Sequence, residues 1–188
     1  MLSASSVPKL VKPTDKKPEI PKTVGNGQIV YKEPVKKVPK SMYIPKLYEL
    51  KNSIIQGAGL GIFTKVDLPN NHKLADYKGR WLSPEDYNNT DKELLYVWEL
   101  YDYKGNPNRK KSEKYDPNQV IGYRDGEYKK DSNFLRYLNH PRSSAEENVR
   151  AKQEKDQIAY YTTRPVKAGE ELMVSYGEEY GKTLLEKH

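Results

Sequence analysis

The sequence contains no cysteine and no long apolar run. Without cysteine, a disulfide scaffold and a cysteine-based zinc site are both excluded, and we expect no metal site. No apolar stretch approaches the roughly 20 residues that a membrane-spanning helix needs. The first residues, MLSASSVPKLVK, also lack the apolar segment of a secretory signal. We therefore expect a protein that is neither secreted nor bound to a membrane.

Phenylalanine and tryptophan are also scarce, with 2 of each against 16 tyrosines. A tyrosine packs like other aromatic residues, but its hydroxyl group needs a hydrogen-bond partner when it is buried. A tyrosine-rich core can therefore line a pocket with hydroxyl groups, or it can reflect composition alone. The sequence leaves both interpretations open.

Residues 1–46 differ from the rest of the chain in charge and in proline content. They hold 10 Lys, no Arg, 3 acidic residues and 7 of the 13 prolines, so they carry the whole net charge of +7. Because proline restricts φ and removes a backbone donor, we expect an extended or disordered arm. Such an arm can be a solubilising tail, a non-specific contact to nucleic acid or a nuclear-targeting segment, or a segment that docks along a protein partner.

The chain beyond residue 46 is predicted to form many short strands with a turn about every 8 to 12 residues. Ser83 and Pro84 are placed as N-cap and first residue of a short helix, and Ser132 as the cap of a second one. Asp125 and Gly126 are predicted to form a tight turn between two strands. This pattern favours a mainly-β (β+α) domain of several small sheets over a βαβ fold.

Three short segments carry polar or glycine residues at the ends of apolar runs. GAGLGIF, residues 57–63, lacks the helix and the lysine of a nucleotide-binding loop, so it is either a hairpin turn or a close backbone approach to a ligand. Asn139 and His140 end the run FLRYL, just before Pro141. Tyr176 ends the run ELMVS, where a hydroxyl group is often only a surface group.

Taken together, these segments resemble the SET domain of protein lysine methyltransferases, and more narrowly its PR/SET branch. Four segments carry the resemblance in the same order, AGLGIF, LADYKGRWLSPEDY, SNFLRYLNHPRSSAEENV and QIAYYTTRPVKAGEELMVSYGEEYG, and it covers nearly all of residues 47–184. The resemblance implies a SET fold with a knot-like crossing of the Asn-His segment and the C-terminal tyrosine strand. It departs from the common motif NHSC, which here is NHPR.

The resemblance also implies a set of site residues. S-adenosyl-L-methionine would contact Asn139 and His140 on one side and the backbone of Ala58, Gly59 and Leu60 on the other. Three tyrosines would be catalytic: Tyr176, Tyr160 and Tyr96, with Tyr161 as the alternative to Tyr160. Three further residues would line the substrate channel: Val174, Tyr180 and Trp98. The small side chain of Val174 predicts room for higher methylation states of the lysine.

The expected function is therefore an S-adenosyl-L-methionine-dependent protein lysine N-methyltransferase, acting on a histone tail in the nucleus. A viral source, with the protein in a viral particle or in the host nucleus, is also compatible with the sequence. Two other functions stay open: a catalytically silent SET-fold module that binds a peptide, and a structural or packaging protein whose arm binds nucleic acid or a protein partner. We assign no role to the insertion 104–118, and residues 185–188 are expected to be a short tail.

Overall fold

The computed structural model describes residues 42–90 and 96–176. In these ranges the chain forms nine short strands, one α-helix and one 3-10 helix. In chain order they are β1 (Tyr48–Asn52), β2 (Leu60–Thr64), β3 (Lys73–Asp76), β4 (Arg80–Leu82), α1 (Pro84–Asn88), β5 (Val97–Tyr101), β6 (Val120–Asp125), the 3-10 helix (Phe134–Tyr137), β7 (Val149–Glu154), β8 (Gln157–Thr162) and β9 (Glu171–Leu172). The prediction of a mainly-β domain with few helices is confirmed.

The described strands form three sheets of three strands each, in the orders β1-β2-β9, β3-β8-β7 and β4-β6-β5. All neighbouring strands in these sheets are antiparallel. β9 joins β2 although more than a hundred residues separate them in the chain, because Ile62 pairs with Leu172 and Phe63 with Glu171. This long-range pairing brings the C-terminal segment against the glycine-rich stretch.

Two of the predicted local features are confirmed and two are wrong. Ser83 caps α1, and its hydroxyl group accepts from the backbone of Asp86 while Pro84 takes the first helical position. The second helix is a 3-10 helix whose N-cap is Asn133, and Ser132 instead donates to the carbonyl of Lys129. No strand begins directly after Gly126: β6 ends at Asp125, and a Cβ at Gly126 would lie 2.1 Å from the Tyr77 hydroxyl oxygen.

The main core is formed by residues of all three sheets and of the 3-10 helix, with Trp98 and Leu100 of β5 as the contribution of the third sheet. Phe134 and Leu135 of this helix are buried, and Phe134 stacks on Tyr48 with ring centroids 5.3 Å apart. Met42 and Ile44 are partly buried against the same core, so the packed chain begins before residue 47. The rest of the predicted arm, residues 1–41, lies outside the described residues. Within the described ranges, no helix is long and apolar enough to cross a membrane.

The insertion 104–118 is organised around one buried carboxylate, that of Asp102, which is 4% exposed. The backbone of Tyr103, the side chain of Asn106 and Nη2 of Arg109 donate to its Oδ1 at 2.9, 3.0 and 3.1 Å. Burial opposes ionisation, but these bonds and the Arg109 ion pair hold the pKa of Asp102 below its ordinary value. The insertion is therefore a structured loop with its lysines outside.

Replacing Asp102 by alanine should release this loop, because three donors would lose their shared acceptor. We expect trypsin to cleave the variant within 104–118 about 10-fold faster or more, since cleavage follows the population of locally opened chain. Glu113→Ala is the matched control, because Glu113 forms only an exposed ion pair with Lys110. Equal cleavage rates for wild type and Asp102→Ala would show that Asp102 does not hold the loop.

Candidate active site

The segment after the 3-10 helix runs beside the C-terminal end of the described chain. The backbone of Val174 donates to the carbonyl of Asn139 at 3.0 Å, and Asn139 forms a parallel bridge with Met173. The backbone N–H of Tyr176 donates to Nδ1 of His140 at 2.9 Å. On the other side, Val174 forms a parallel bridge with Val149 at the start of β7. Residues 173–174 therefore pass between two distant segments, in agreement with the predicted knot-like crossing.

His140 contributes to this crossing in its neutral form. Burial lowers the pKa of His140, and a proton on Nδ1 would remove the acceptor for the Tyr176 backbone. A lowered folded-state pKa means that the stabilisation is complete above the unfolded value of about 6.5 and is lost as the pH falls through the folded-state value.

We therefore expect the melting temperature of the wild type to fall as the pH drops from about 7.5 to about 5.5, and to fall less in His140→Gln. Calorimetric melting over this pH range measures the difference. His72→Gln changes a histidine outside the crossing, whose Nε2 lies 3.2 Å from the Tyr48 hydroxyl. This control should keep the acid sensitivity of the wild type. If His140→Gln is as acid-sensitive as the wild type, the interpretation of His140 is wrong.

A tyrosine-walled cavity lies next to the crossing. Its volume, measured as the space open to the centre of a water molecule, is about 20 Å³, which is room for roughly one water. The residues that line it come from five places in the chain: Tyr77, Tyr96, Trp98, Leu135, Arg136, Leu138, Tyr160 and Tyr176. The structure thus brings the three predicted tyrosines together with Trp98.

The hydroxyl groups around the cavity are held in different ways. The hydroxyl of Tyr176 donates to the carbonyl of Leu138, which is the residue before Asn139, so the cavity and the crossing share a wall. The hydroxyl of Tyr77 donates to the carbonyl of Tyr96 at 2.9 Å. Burial raises the pKa of Tyr160 and of Tyr77 well above the ordinary value. These two hydroxyl groups are therefore neutral at any working pH.

The neighbour of Tyr160 points away from the cavity. Tyr160 is 1% exposed and lies between Ala75 of β3 and Ala151 of β7. Tyr161 faces the other side of the sheet, where its hydroxyl donates to Glu154 at 2.7 Å. Since neighbouring residues of a strand face opposite sides, only one of the two tyrosines can reach the cavity, and it is Tyr160.

Arg136 is a cavity residue that the sequence reasoning missed. It is 8% exposed, and its Nε and Nη2 donate to the carbonyls of Gly126 and Glu127, each at 3.1 Å. Its guanidinium carbon lies 4.4 Å from the ring centroid of Tyr96. A cation in the middle of the apolar run FLRYL was the available signal, because a charged residue there must be buried with specific partners.

The glycine-rich loop lies against the other side of the crossing. The side-chain Nδ2 of Asn139 donates to the carbonyl of Leu60 at 3.2 Å. Gly59 has φ +76°, and a Cβ there would have no heavy atom within 4 Å, so the space beside it is open. The carbonyl of Gly59 accepts from the backbone of Ser53 at 2.8 Å, and the backbone of Ala58 donates to Ile55. The structure therefore places Ala58 and Gly59 on the loop before β2, and Leu60, the first residue of β2, in contact with Asn139.

One of the predicted channel residues does not line the cavity, and another lies outside the described residues. Val174 is 1% exposed in the main core and is not one of the lining residues. Tyr180 lies outside the described residues. Among residues 42–90 and 96–176, no cluster of three or more His, Asp or Glu side chains could hold a metal ion.

The sequence and the fold were compared with those of known proteins. The family described as the PR domain of PR domain zinc finger protein 2 matches residues 48–187. The histone-lysine N-methyltransferase set-17 of Caenorhabditis elegans is 31% identical over 143 residues, which are 76% of this chain and 45% of that protein. The human histone-lysine N-methyltransferase PRDM7 is 32% identical over 145 residues, which are 77% of this chain and 26% of that protein. The chain thus spans less than half the length of these relatives.

Two solved structures of the PRDM2 domain share the fold. The methyltransferase domain of human PR domain-containing protein 2 is 22% identical, with a TM-score of 0.60, and the match covers 82% of this chain and 95% of that domain. The SET domain of the RIZ1 tumor suppressor (PRDM2) is also 22% identical, with a TM-score of 0.55 and coverage of 84% and 88%. The family match extends over most of the chain and includes the crossing and the cavity. This chain therefore belongs to the PR domain family, the PR/SET branch of the SET-domain proteins.

Proposed function

We propose that this chain is a protein-lysine N-methyltransferase that uses S-adenosyl-L-methionine and acts on a histone tail in the nucleus. The observation that carries the proposal concerns Leu138. This residue lines the tyrosine-walled cavity, and it directly precedes Asn139 and His140 of the crossing, so the two features are adjacent. The names of the set-17 and PRDM7 relatives, both histone-lysine N-methyltransferases, support the same reaction and substrate.

The residues beside the crossing fit the proposed cofactor. The open space at Gly59 lets a ligand approach the backbone without meeting a side chain. Both N–H groups of the Asn139 amide have acceptors within the fold, which leaves its oxygen to accept from a ligand. S-adenosyl-L-methionine, when bound, supplies a methyl group attached to a positively charged sulfur. Ala58, Leu60 and His140 would complete the contacts through their backbone groups.

The cavity has room for about one water-sized group, such as the terminal amine of a lysine, and its lining suits an amine that has lost its proton. A free lysine has a pKa of about 10.4 and is almost fully charged at neutral pH. Burial among Tyr77, Tyr96, Trp98 and Tyr160 disfavours the ammonium form, since a charge loses its hydration there. The positive charge of Arg136 at the same wall disfavours it further. The wall thus favours a neutral amine, which is the form that can accept a methyl group.

The tyrosine hydroxyl groups then act by position and electrostatics. Tyr176 is the proposed main catalytic tyrosine because its hydroxyl group lies where the cavity meets the crossing. Tyr160 and Tyr96 line the same cavity and would help to align the amine nitrogen. Val174 and Tyr180 stay proposals as residues that shape the substrate channel. The steric argument from the small side chain of Val174, which packs in the main core next to the crossing, permits higher methylation states of the lysine.

The direct test uses the purified full chain with labelled S-adenosyl-L-methionine and core histones. We expect label to enter a histone, and mass spectrometry to place the methyl groups on lysine. Binding of the cofactor without label transfer to any histone or to any protein of a nuclear extract would instead identify a silent binding module. If the label enters no histone but does enter another protein of a nuclear extract, the proposed methyltransferase reaction is retained and the histone is rejected as its substrate.

The basic arm requires a separate experiment, because residues 1–41 lie outside the described residues. DNA binding by the full chain is compared with that of a variant lacking residues 1–46 over a range of salt concentrations. If the arm contacts phosphates, the deletion should weaken binding and flatten its salt dependence. If the deletion variant loses DNA binding but keeps the wild-type rate of methyl transfer, the arm binds DNA and is not needed for catalysis.

A further inference from the structure

We infer that Glu171 is a positioning residue that orients the Asn139 amide and the 53–60 loop for the cofactor. The inference rests on the proposed function, since it concerns the same site. Glu171 belongs to β9 and is 5% exposed. It lies outside the tyrosine-walled cavity, so it acts on the cofactor side of the crossing.

The carboxylate of Glu171 ties together three parts of the chain. The hydroxyl of Ser53 donates to its Oε1 at 2.8 Å, and the backbone of Ile54 donates to its Oε2 at 2.8 Å. Nδ2 of Asn139 donates to Oε1 at 2.8 Å as well. The loop before β2 and the segment after the 3-10 helix are therefore held by one acidic group on a third segment.

The chain makes room for this carboxylate with a glycine. A Cβ at residue 61 would overlap Oε1 of Glu171 and would lie 3.1 Å from Nδ2 of Asn139. The glycine of AGLGIF that precedes Ile62 is thus required by a buried polar contact, and its backbone has no positive φ that would explain it otherwise. The glycine at position 61 is therefore explained by the space that the Glu171 carboxylate needs, and not by a turn.

Glu171 also decides which atom of the Asn139 amide faces outward. The amide has two N–H groups and one oxygen. Its nitrogen donates to Leu60 at 3.2 Å and to Glu171 at 2.8 Å, so both N–H groups point inward. With both N–H groups donated to these two acceptors, Oδ1 is the atom of the amide that can accept a hydrogen bond from a ligand. The oxygen is therefore available to an N–H or ammonium group, and the cofactor carries such groups.

A glutamine at position 171 would reverse this arrangement. Ser53, Ile54 and Asn139 all donate to the carboxylate, whereas a glutamine side chain has only one oxygen and presents an NH₂ group in place of the other. The NH₂ group would face either the Ile54 backbone or the nitrogen of Asn139. Either the loop is released, or the Asn139 amide turns over and offers a donor to the cofactor in place of an acceptor.

The experiment measures cofactor affinity by calorimetry on the full chain with Glu171→Gln. We expect Kd for S-adenosyl-L-methionine to rise about 10- to 100-fold, which corresponds to the loss of hydrogen bonds to a charged group. The KM for the cofactor should rise similarly, while kcat at saturating cofactor stays within about 3-fold, because the cavity residues are untouched. Ser53→Ala removes one donor and should raise Kd less, by about 3- to 5-fold.

A readout that needs no cofactor is amide hydrogen exchange. Glu171→Gln should speed the exchange of the Ile54 amide, because the carboxylate is its acceptor. Glu170→Gln is the matched control, since the Glu170 carboxylate contacts Arg164 and the Lys167 backbone and does not reach the loop. The control should leave both Kd and Ile54 exchange unchanged.

The outcomes separate the inference from the proposed function. Unchanged Kd in Glu171→Gln and Ser53→Ala, or a lowered melting temperature without a change in Kd, overturns the inference alone. A wild-type chain that binds no S-adenosyl-L-methionine overturns the proposed function, and the inference with it. A raised Kd with retained kcat and faster Ile54 exchange supports the positioning role.

Discussion

Replacing Tyr176 by phenylalanine is expected to lower kcat for methyl transfer by about 10²- to 10³-fold, the range seen when one preorganised polar group is removed from a reacting centre. The change removes only the hydroxyl group, which donates to the carbonyl of Leu138 where the cavity meets the crossing. The fold should survive, because a single hydrogen bond contributes about 1 kcal/mol. Initial rates with labelled cofactor and core histones measure the loss.

Tyr161→Phe is the matched control for this experiment. It removes a hydroxyl group from the neighbour of Tyr160, but that group bonds to Glu154 on the opposite face of the sheet. We expect this variant to keep nearly the wild-type rate. A Tyr176→Phe enzyme within about 3-fold of the wild-type rate would contradict the proposed role, because a preorganised hydroxyl group at the reacting centre contributes far more.

Replacing Arg136 by methionine should change both stability and the pH dependence of the reaction. Two buried carbonyl groups, those of Gly126 and Glu127, would lose their donor. We expect the free energy of unfolding to fall by about 2–4 kcal/mol, the size typical of buried polar groups left without partners. Urea denaturation measures this effect.

The pH effect of Arg136→Met follows from the lost positive charge. A like charge on the order of 10 Å away, at an effective dielectric constant of about 20, changes a pKa by about one unit. Without it the bound lysine amine keeps its proton to higher pH, so the rise of kcat with pH should shift upward by about one unit. Arg136→Met leaves the negative charges of Asp125 and Glu127 unchanged. In the wild type these two carboxylates act on Tyr77 together with Arg136.

Arg136→Lys provides the control for the charge. A lysine keeps the positive charge but lacks the planar fork that reaches both carbonyls. It should therefore lose stability as the methionine variant does, yet keep the wild-type pH profile. If the methionine variant also keeps the wild-type profile, Arg136 is a structural residue and the electrostatic part of the proposed function is wrong.

The parts of the fold that the sequence predicted depend on local chemistry. Ser83 and Pro84 predict a helix start because a hydroxyl cap and a restricted φ act within one turn. The strands follow from β-branched and aromatic runs, and the family resemblance from four ordered segments. The crossing was predicted through that resemblance, since nothing in FLRYLNH by itself indicates a partner more than thirty residues away.

The parts of the site that the sequence left open or missed depend on long-range pairing. The sequence alone does not distinguish Tyr160 from Tyr161. The pairing of Tyr160 with Ala75 and Ala151 decides that Tyr160 is the one that faces the cavity. Arg136 became a cavity residue because the backbone of 126–127 supplies its acceptors. Glu171 meets Asn139 only because β9 joins β2.

The sequence by itself determined the class of this protein: short strands, tyrosines in place of other aromatics, no cysteine, and four motifs in the order of the PR/SET branch. The tertiary structure alone decided which side chains meet. Strand register and chain crossing place residues far apart in sequence within hydrogen-bonding distance, and those contacts set which hydroxyl, amide and guanidinium groups face the cavity and the crossing.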